Sequence, residues 1–191
     1  MNFDIVIIGG GWTGCSLAGR LCAAGMKVCV VSDGLSLSES ASPSPYARLA
    51  ALQSKGAVIL RGDRAEGGIW DGSGLLAIYT RNLGNGTPLY ASDFILATGK
   101  FFSRGLLSDK LHVWEPVFGS DVLSAGDRTD WFKEGFSERQ PFMDFGVRTD
   151  AYGRILFGGV PALNLYAAGD IVAAGFDECD LDYLLDHAGK E

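Results

Sequence analysis

The sequence predicts an α/β fold: a parallel sheet with a three-stranded antiparallel β-meander as crossover, in one domain spanning residues 1–191. Three observations carry that expectation. An apolar run near the N-terminus enters a glycine cluster and then a helix-like period. Short alternating segments with turn signals occupy residues 64–90. Two later apolar runs end in Thr98-Gly99 and Gly169-Asp170.

Taken in order, residues 3–8 (FDIVII) form an unbroken apolar run, the pattern of a strand buried on both faces. They lead into Gly9-Gly10-Gly11-Trp12-Thr13-Gly14, after which residues 15–24 have helical periodicity and stop at Gly25. Residues 27–31 (KVCVV) give a second buried strand, so residues 1–34 make a Rossmann-like βαβ unit. The serine- and proline-rich stretch 35–45 reads as an exposed loop. Residues 46–55 fit a short amphipathic helix ended by Gly56, and residues 57–60 (AVIL) fit a third parallel strand. The meander over 64–90 is punctuated by Asp71-Gly72 and Asn85-Gly86, both strong turn dipeptides. Residues 93–97 (DFILA) are a separate buried strand. Residues 100–160 are irregular and rich in aromatics, with no long helix. Residues 163–167 (LNLYA) are the last buried strand, opening a C-terminal motif over 163–177, and an acidic segment over 177–187 closes the pattern.

Composition excludes several classes. With 47% hydrophobic and 20% charged residues the chain can bury a core and is not disordered. A formal net charge of −7 without a basic run argues against nucleic-acid binding, which depends on phosphate neutralisation. Apolar stretches are broken well short of the roughly 20 residues of a membrane span. Met1-Asn2-Phe3-Asp4 lacks the positive region of a signal peptide, so a cytoplasmic location is expected. The four cysteines show no CxxC pair or Cys/His cluster, so no metal is expected. Cys15, Cys22 and Cys29 read as small core hydrophobes, and a redox role for Cys179 is a minor alternative.

Gly9, Gly11 and Gly14 have the GxGxxG spacing between a strand and a helix. Gly9 permits the tight turn, Gly11 lets the backbone approach a phosphate, and Gly14 lets the helix pack on the sheet, leaving the helix amides to face the anion. Trp12 and Thr13 lie within the same loop. The acidic residue that usually ends the second strand and grips an adenosine ribose is absent: Ser32 stands there, with Asp33 next. A serine offers one hydrogen bond where a carboxylate holds a diol. Either Asp33 takes over or the ligand lacks an adenosine half.

With Thr98-Gly99 (in ILATG) and Gly169-Asp170 (in NLYAAGD), the order of motifs resembles the two-dinucleotide-fold flavoproteins. That resemblance implies that Asp170 binds the ribityl hydroxyls of a flavin, FMN or FAD alike. The run from Gly99-Lys100-Phe101-Phe102-Ser103-Arg104-Gly105-Leu106 through Glu115-Pro116-Val117-Phe118-Gly119, Gln140-Pro141-Phe142 and Phe145-Gly146-Val147 narrows it. Over residues 1–40 and 93–177 the chain resembles the B subunit of the anaerobic glycerol-3-phosphate dehydrogenase. The resemblance implies FMN as cofactor, with FAD as the alternative, and glycerol 3-phosphate as substrate, oxidised to dihydroxyacetone phosphate. It also implies other dehydrogenase subunits as partners and peripheral attachment to the inner face of the membrane through one of them.

Two departures bear on catalysis. The family's large middle region is reduced here to the Ser/Pro loop, one helix and the meander. Related flavoproteins also follow the GD pair with a glycine-rich helix whose N-terminus favours negative charge on the flavin; here the chain reads Phe176-Asp177-Glu178-Cys179-Asp180. Among catalytic candidates, His112 fits a general base. Arg104, Arg128 and Arg148 fit phosphate anchors. Trp114, Trp131, Phe132 and Phe142 fit either core packing or a flavin face. Two other functions stay open: a non-catalytic scaffold or assembly subunit that keeps the fold, and a nicotinamide-dinucleotide oxidoreductase using the same GxGxxG.

Overall fold

A computed structural model describes residues 1–34, 45–135 and 137–187. In chain order it contains β1 (Asn2–Ile8), α1 (Trp12–Ala23), β2 (Val28–Ser32), α2 (Pro45–Ser54), β3 (Val58–Arg61), β4 (Ala65–Asp71), β5 (Gly74–Thr80) and β6 (Gly84–Leu96). There follow β7 (Leu107–Ser108), β8 (Val113–Trp114), β9 (Val122–Leu123), β10 (Gly146–Val147), β11 (Arg154–Phe157), β12 (Val160–Ala167) and α3 (Leu181–His187).

The main sheet runs β11-β12-β6-β1-β2-β3. β12, β6, β1, β2 and β3 are parallel, and β11 closes the edge antiparallel to β12. Consecutive residues of each central strand face opposite sides, and both sides are covered. Ile5, Ile7, Val28, Val30 and Ile95 join Ala18 and Leu21 of α1, Leu49 and Leu52 of α2 and Leu184 of α3. Val6, Ile8, Cys29, Phe94, Leu96 and Leu165 pack on the meander and the irregular segment through Leu75, Ile78, Leu89, Leu106 and Phe145. Two covered faces explain why these strands read as continuous apolar runs instead of alternating ones. Each fully buried Ile, Leu or Phe contributes roughly 1.5–3 kcal/mol.

The α/β class and the meander crossover are as the sequence predicts, with four local differences. α1 begins at Trp12, three residues before the expected start, because Gly11 is extended (φ −72°, ψ −168°) and its carbonyl accepts from Cys15 N at 3.0 Å. The last meander strand and the strand expected at 93–97 are one continuous element, β6. Its N-terminal half pairs with β5 and its C-terminal half with β1 and β12. Within the irregular region β11 adds an edge strand, and Asp121 fixes its turn into β12 by accepting from the amides of Gly158 (2.9 Å) and Gly159 (2.7 Å). The closing acidic segment forms α3, whose Leu181 and Leu184 are buried. The loop expected over 35–45 lies outside the described residues except for Pro45. No described helix is long and apolar enough to cross a membrane.

Candidate functional site

The parallel arrangement brings the three motifs together. Ile8 is in register with Leu96, and Leu96 with Ala167, so the loops leaving β1, β6 and β12 emerge side by side at the carboxyl edge of the sheet. In doubly wound folds that edge is where ligands bind.

The glycine loop is shaped by contacts that leave no room for side chains. Gly9 has φ +122°, its amide donates to Val31 O at 2.9 Å, and a Cβ there would strike the Ala97 carbonyl. A Cβ on Gly14 would strike the Gly9 carbonyl, so α1 presses directly on the turn. Gly11 differs: no atom lies within 4 Å of where its Cβ would be. Two glycines are thus required by packing, while the third leaves an open face at the N-terminus of α1. That is the cradle an anion needs.

Thr13 joins this loop to the far end of the chain. Gly169 (φ +75°) sits so close that a Cβ on it would lie 2.5 Å from Thr13 Oγ1. Thr98 and Gly99 form the third side. Gly99 has φ +69° and is backed by Ser103, while Thr98 Oγ1 is buried without a hydrogen-bond partner among the described residues.

On the Gly169-Asp170 side of this edge lies a cleft of ≈ 330 Å³ whose lining includes Lys100, Arg139, Gly169, Asp170, Phe176 and Glu178; the glycine loop and Thr98-Gly99 do not line it. Asp170 is exposed, and no hydrogen bond within the described residues occupies its carboxylate. Glu178 Oε2 accepts from the Gly169 amide at 2.9 Å. Both cations are engaged: Lys100 Nζ donates to the Met143 carbonyl, and Arg139 pairs with Asp144 through Nε at 3.1 Å. Burial lowers the Lys100 ammonium from its ordinary value, with Asp170 and Asp144 pulling it back up. The open face at Gly11, the available Asp170 carboxylate and the cleft beside them fit a flavin: a phosphate would meet the α1 amides and a polyol would meet Asp170.

Ser32 and Asp33 are placed differently from a ribose grip. Ser32 is buried against Gly10 and its hydroxyl donates to Gly34 O at 2.9 Å, while Asp33 is exposed. Trp12 is exposed, with the Arg48 guanidinium 5.2 Å over its ring. His112 does not line the cleft. It lies on the exposed turn between β7 and β8, where Asp109 accepts from the amides of Leu111 and His112 at 2.7 Å each and stands 3.6 Å from its Nδ1.

The arginines do not converge as an anchor. Arg104 ends a 3₁₀ turn at φ +61°, Arg128 donates to Asp109 O at 3.2 Å, and Arg148 lies over the Phe176 ring at 5.6 Å. Trp131 is core, with Nε1 donating to Ala125 O, and Phe142 meets Phe101 edge-on. Trp114 and Phe132 are exposed. The described residues contain no cluster able to hold a metal. Burial pushes the thiols of Cys29 and Cys179 up to about 12, which disfavours a reactive thiolate at either. Sequence reasoning missed Lys100 and Arg139 as cleft residues, and it left open which way Glu178 points. Lys100 had a signal in its position directly after Thr98-Gly99; Arg139 had none.

A family profile described as FAD binding domain matches residues 44–180. Its description names FAD and gives FMN no support as the first choice. Among curated proteins, the chain is 41% identical over 126 residues to the B subunit of anaerobic glycerol-3-phosphate dehydrogenase from Vibrio vulnificus, covering 64% of this chain and 28% of that protein. It is 38% identical over 126 residues to the protein of the same name from Yersinia enterocolitica, covering 66% and 29%. The match thus spans under a third of each relative's length. Among solved structures, an oxidoreductase from Agrobacterium tumefaciens aligns with a TM-score of 0.43 at 21% identity, over 52% of this chain and 37% of that one.

Proposed function

The chain belongs to the FAD binding domain family, and on that premise we propose that it binds a flavin along the sheet edge that carries Gly9–Gly14, Thr98-Gly99 and Asp170, reaching into the cleft beside Asp170, as part of an oxidoreductase acting on glycerol 3-phosphate. The observation that carries this reading is the meeting of the three motifs at one sheet edge, with Thr13 against Gly169. The α1 amides beside Gly11 would take the phosphate, and Asp170 would accept from the ribityl hydroxyls. A bound flavin would supply two-electron acceptance from the alcohol carbon. This chain's residues hold and orient the group. Proton removal from the substrate is not assigned to His112, which stands on the turn between β7 and β8.

FAD is the form to test first, since the family description names it. Ser32 spends its hydroxyl on Gly34, so the adenosine half gains no carboxylate from that position, and FMN should bind nearly as well. The similarity to named dehydrogenase subunits supports glycerol 3-phosphate as substrate and other subunits as partners, one of which would supply attachment to a membrane. The test is the visible spectrum of the purified chain, alone and after incubation with FAD or FMN. Flavin absorbance that survives desalting supports the reading, and a colourless protein under all three conditions refutes it.

A second reading, a flavin-free assembly subunit, is favoured by one observation: Glu178 already occupies the Gly169 amide inside the cleft. The same spectrum separates the two.

A further inference from the structure

The cleft wall carries a charge that the motifs do not explain. Glu178 lies nine residues beyond Gly169, yet its carboxylate returns to the Gly169 amide at 2.9 Å. The backbone around it is pinned. Cys179 N donates to Ala167 O at 2.7 Å, and Gly153 lies beneath, with so little space that a Cβ there would strike Glu178 and Cys179 backbone atoms. The position of Glu178 on the cleft wall, against the Gly169 amide, is therefore built by the end of β12 and the turn before β11.

The charge balance of the cleft follows from its partners. Arg139 is neutralised by Asp144, and Lys100 is tied to Met143 O. Asp170 and Glu178, eight positions apart in sequence, line the same cleft. One anion faces a ribityl chain usefully, since hydroxyls donate to it. The second has no such role and adds negative potential beside whatever binds. Glu178 is itself exposed, so water screens it, and at a few ångströms one such charge shifts the equilibrium of a neighbouring charge by about five- to tenfold.

We propose that Glu178 sets the potential of the site: its negative charge disfavours the anionic reduced form of a bound flavin relative to the neutral oxidised form and so holds the flavin potential low. This inference rests on the flavin reading above and extends it to the electronic setting of the same site. The Gly169 amide, which would otherwise be a free donor toward negative charge, is taken by this carboxylate. The two effects act in the same direction.

The experiment compares the full chain with Glu178→Gln and Glu178→Ala, each loaded with FAD and titrated with dithionite against a reference dye. Oxidised and reduced affinities are measured in parallel. Gln keeps an acceptor for the Gly169 amide but removes the charge; Ala removes both. Reduced-flavin affinity is expected to rise about five- to tenfold in Glu178→Gln and further in Glu178→Ala, with oxidised affinity within about threefold in both. For a two-electron couple tenfold corresponds to about 30 mV. Circular dichroism of each variant should match the unsubstituted chain. An unchanged potential in Glu178→Gln overturns the proposal. So does a shift confined to Glu178→Ala, because the hydrogen bond and not the charge would then set the potential. Flavin binding with an unchanged potential sinks this inference alone, whereas failure of all three proteins to bind flavin sinks the functional reading and this one with it.

Discussion

Gly169 packs against Thr13 so tightly that a Cβ on the glycine would lie 2.9 Å from the threonine Cβ as well as 2.5 Å from its hydroxyl. This contact fastens the last motif of the chain onto the first, and the cleft lined by Gly169 and Asp170 opens beside it. Ligand binding and stability should respond separately to changes around that junction.

Asp170→Ala should reduce flavin affinity roughly ten- to a hundredfold, the usual loss for a hydrogen bond to a charged group. Asp170 is exposed and takes no hydrogen bond from the described residues, so the thermal transition should stay within about a degree or two of the unsubstituted chain. Fluorescence titration with FAD reads the first effect and far-UV circular dichroism the second. Loss of fold with loss of binding would show that Asp170 is structural.

The three glycines of the N-terminal loop should separate cleanly. Gly9→Ala and Gly14→Ala meet carbonyl oxygens, and Gly9 is also at positive φ, so each should cost about 2–5 kcal/mol of stability. Gly11→Ala meets nothing and should leave urea unfolding unchanged while weakening flavin binding. If Gly11→Ala retains full affinity, the open face at α1 is not where the phosphate sits.

FAD and FMN should bind within about tenfold of one another, since losing a charge-assisted hydrogen bond at the ribose removes about 1.5–3 kcal/mol. Side-by-side calorimetric titrations decide this. FAD binding about a thousandfold tighter would mean that exposed Asp33, or another group, has become the ribose ligand.

Asp150 gives a prediction about pH. Its carboxylate accepts from Arg154 Nε at 2.8 Å and from the amides of Tyr152 and Arg154. Burial alone would raise it, but the Arg154 side-chain bond and the two amide bonds prevail and hold it below its ordinary value of 3.8. A depressed native value means that the unfolded chain takes up the proton first as acid is added. The stability from Asp150 is therefore complete above about pH 4–5 and disappears as the pH falls through the lowered native value. Asp150→Asn should cost about 1–3 kcal/mol at neutral pH, with the gap from the unsubstituted chain closing below about pH 3. A gap that stays constant with pH would mean that the charge is not what stabilises the turn.

Much of this molecule was legible in the sequence because its central strands are buried on both faces. The apolar residues of FDIVII and VCVV are interior, and the glycine spacing fixes what lies between them. The continuity of β6 was not legible. Tyr90-Ala91-Ser92 breaks the apolar pattern, and nothing local reveals that Tyr90 is paired with Ala77 on one side and Asn2 on the other. β11 escaped notice because a four-residue edge strand is too short to show a period. The cleft motifs were readable as short patterns. The inward turn of Glu178 was not, since it depends on Gly153 and Ala167 holding a later loop, a tertiary constraint with no signature of its own. His112 is the opposite case: a histidine signals chemistry by type, and only the fold sets it on the exposed Asp109 turn, outside the cleft lining.

The unbroken course of β6 has a mechanical consequence. Because a single run of backbone from Gly84 to Leu96 is both the inner rail of the meander and the middle of the parallel sheet, the meander cannot open as an independent flap without tugging on the strand beneath the cleft. Native-state hydrogen exchange should accordingly find the amides of Ile78 and Leu89 released in the same cooperative event as those of Ile95 and Leu96, so that a disturbance at the sheet's outer margin is felt as a change in the protection of the ligand-bearing edge.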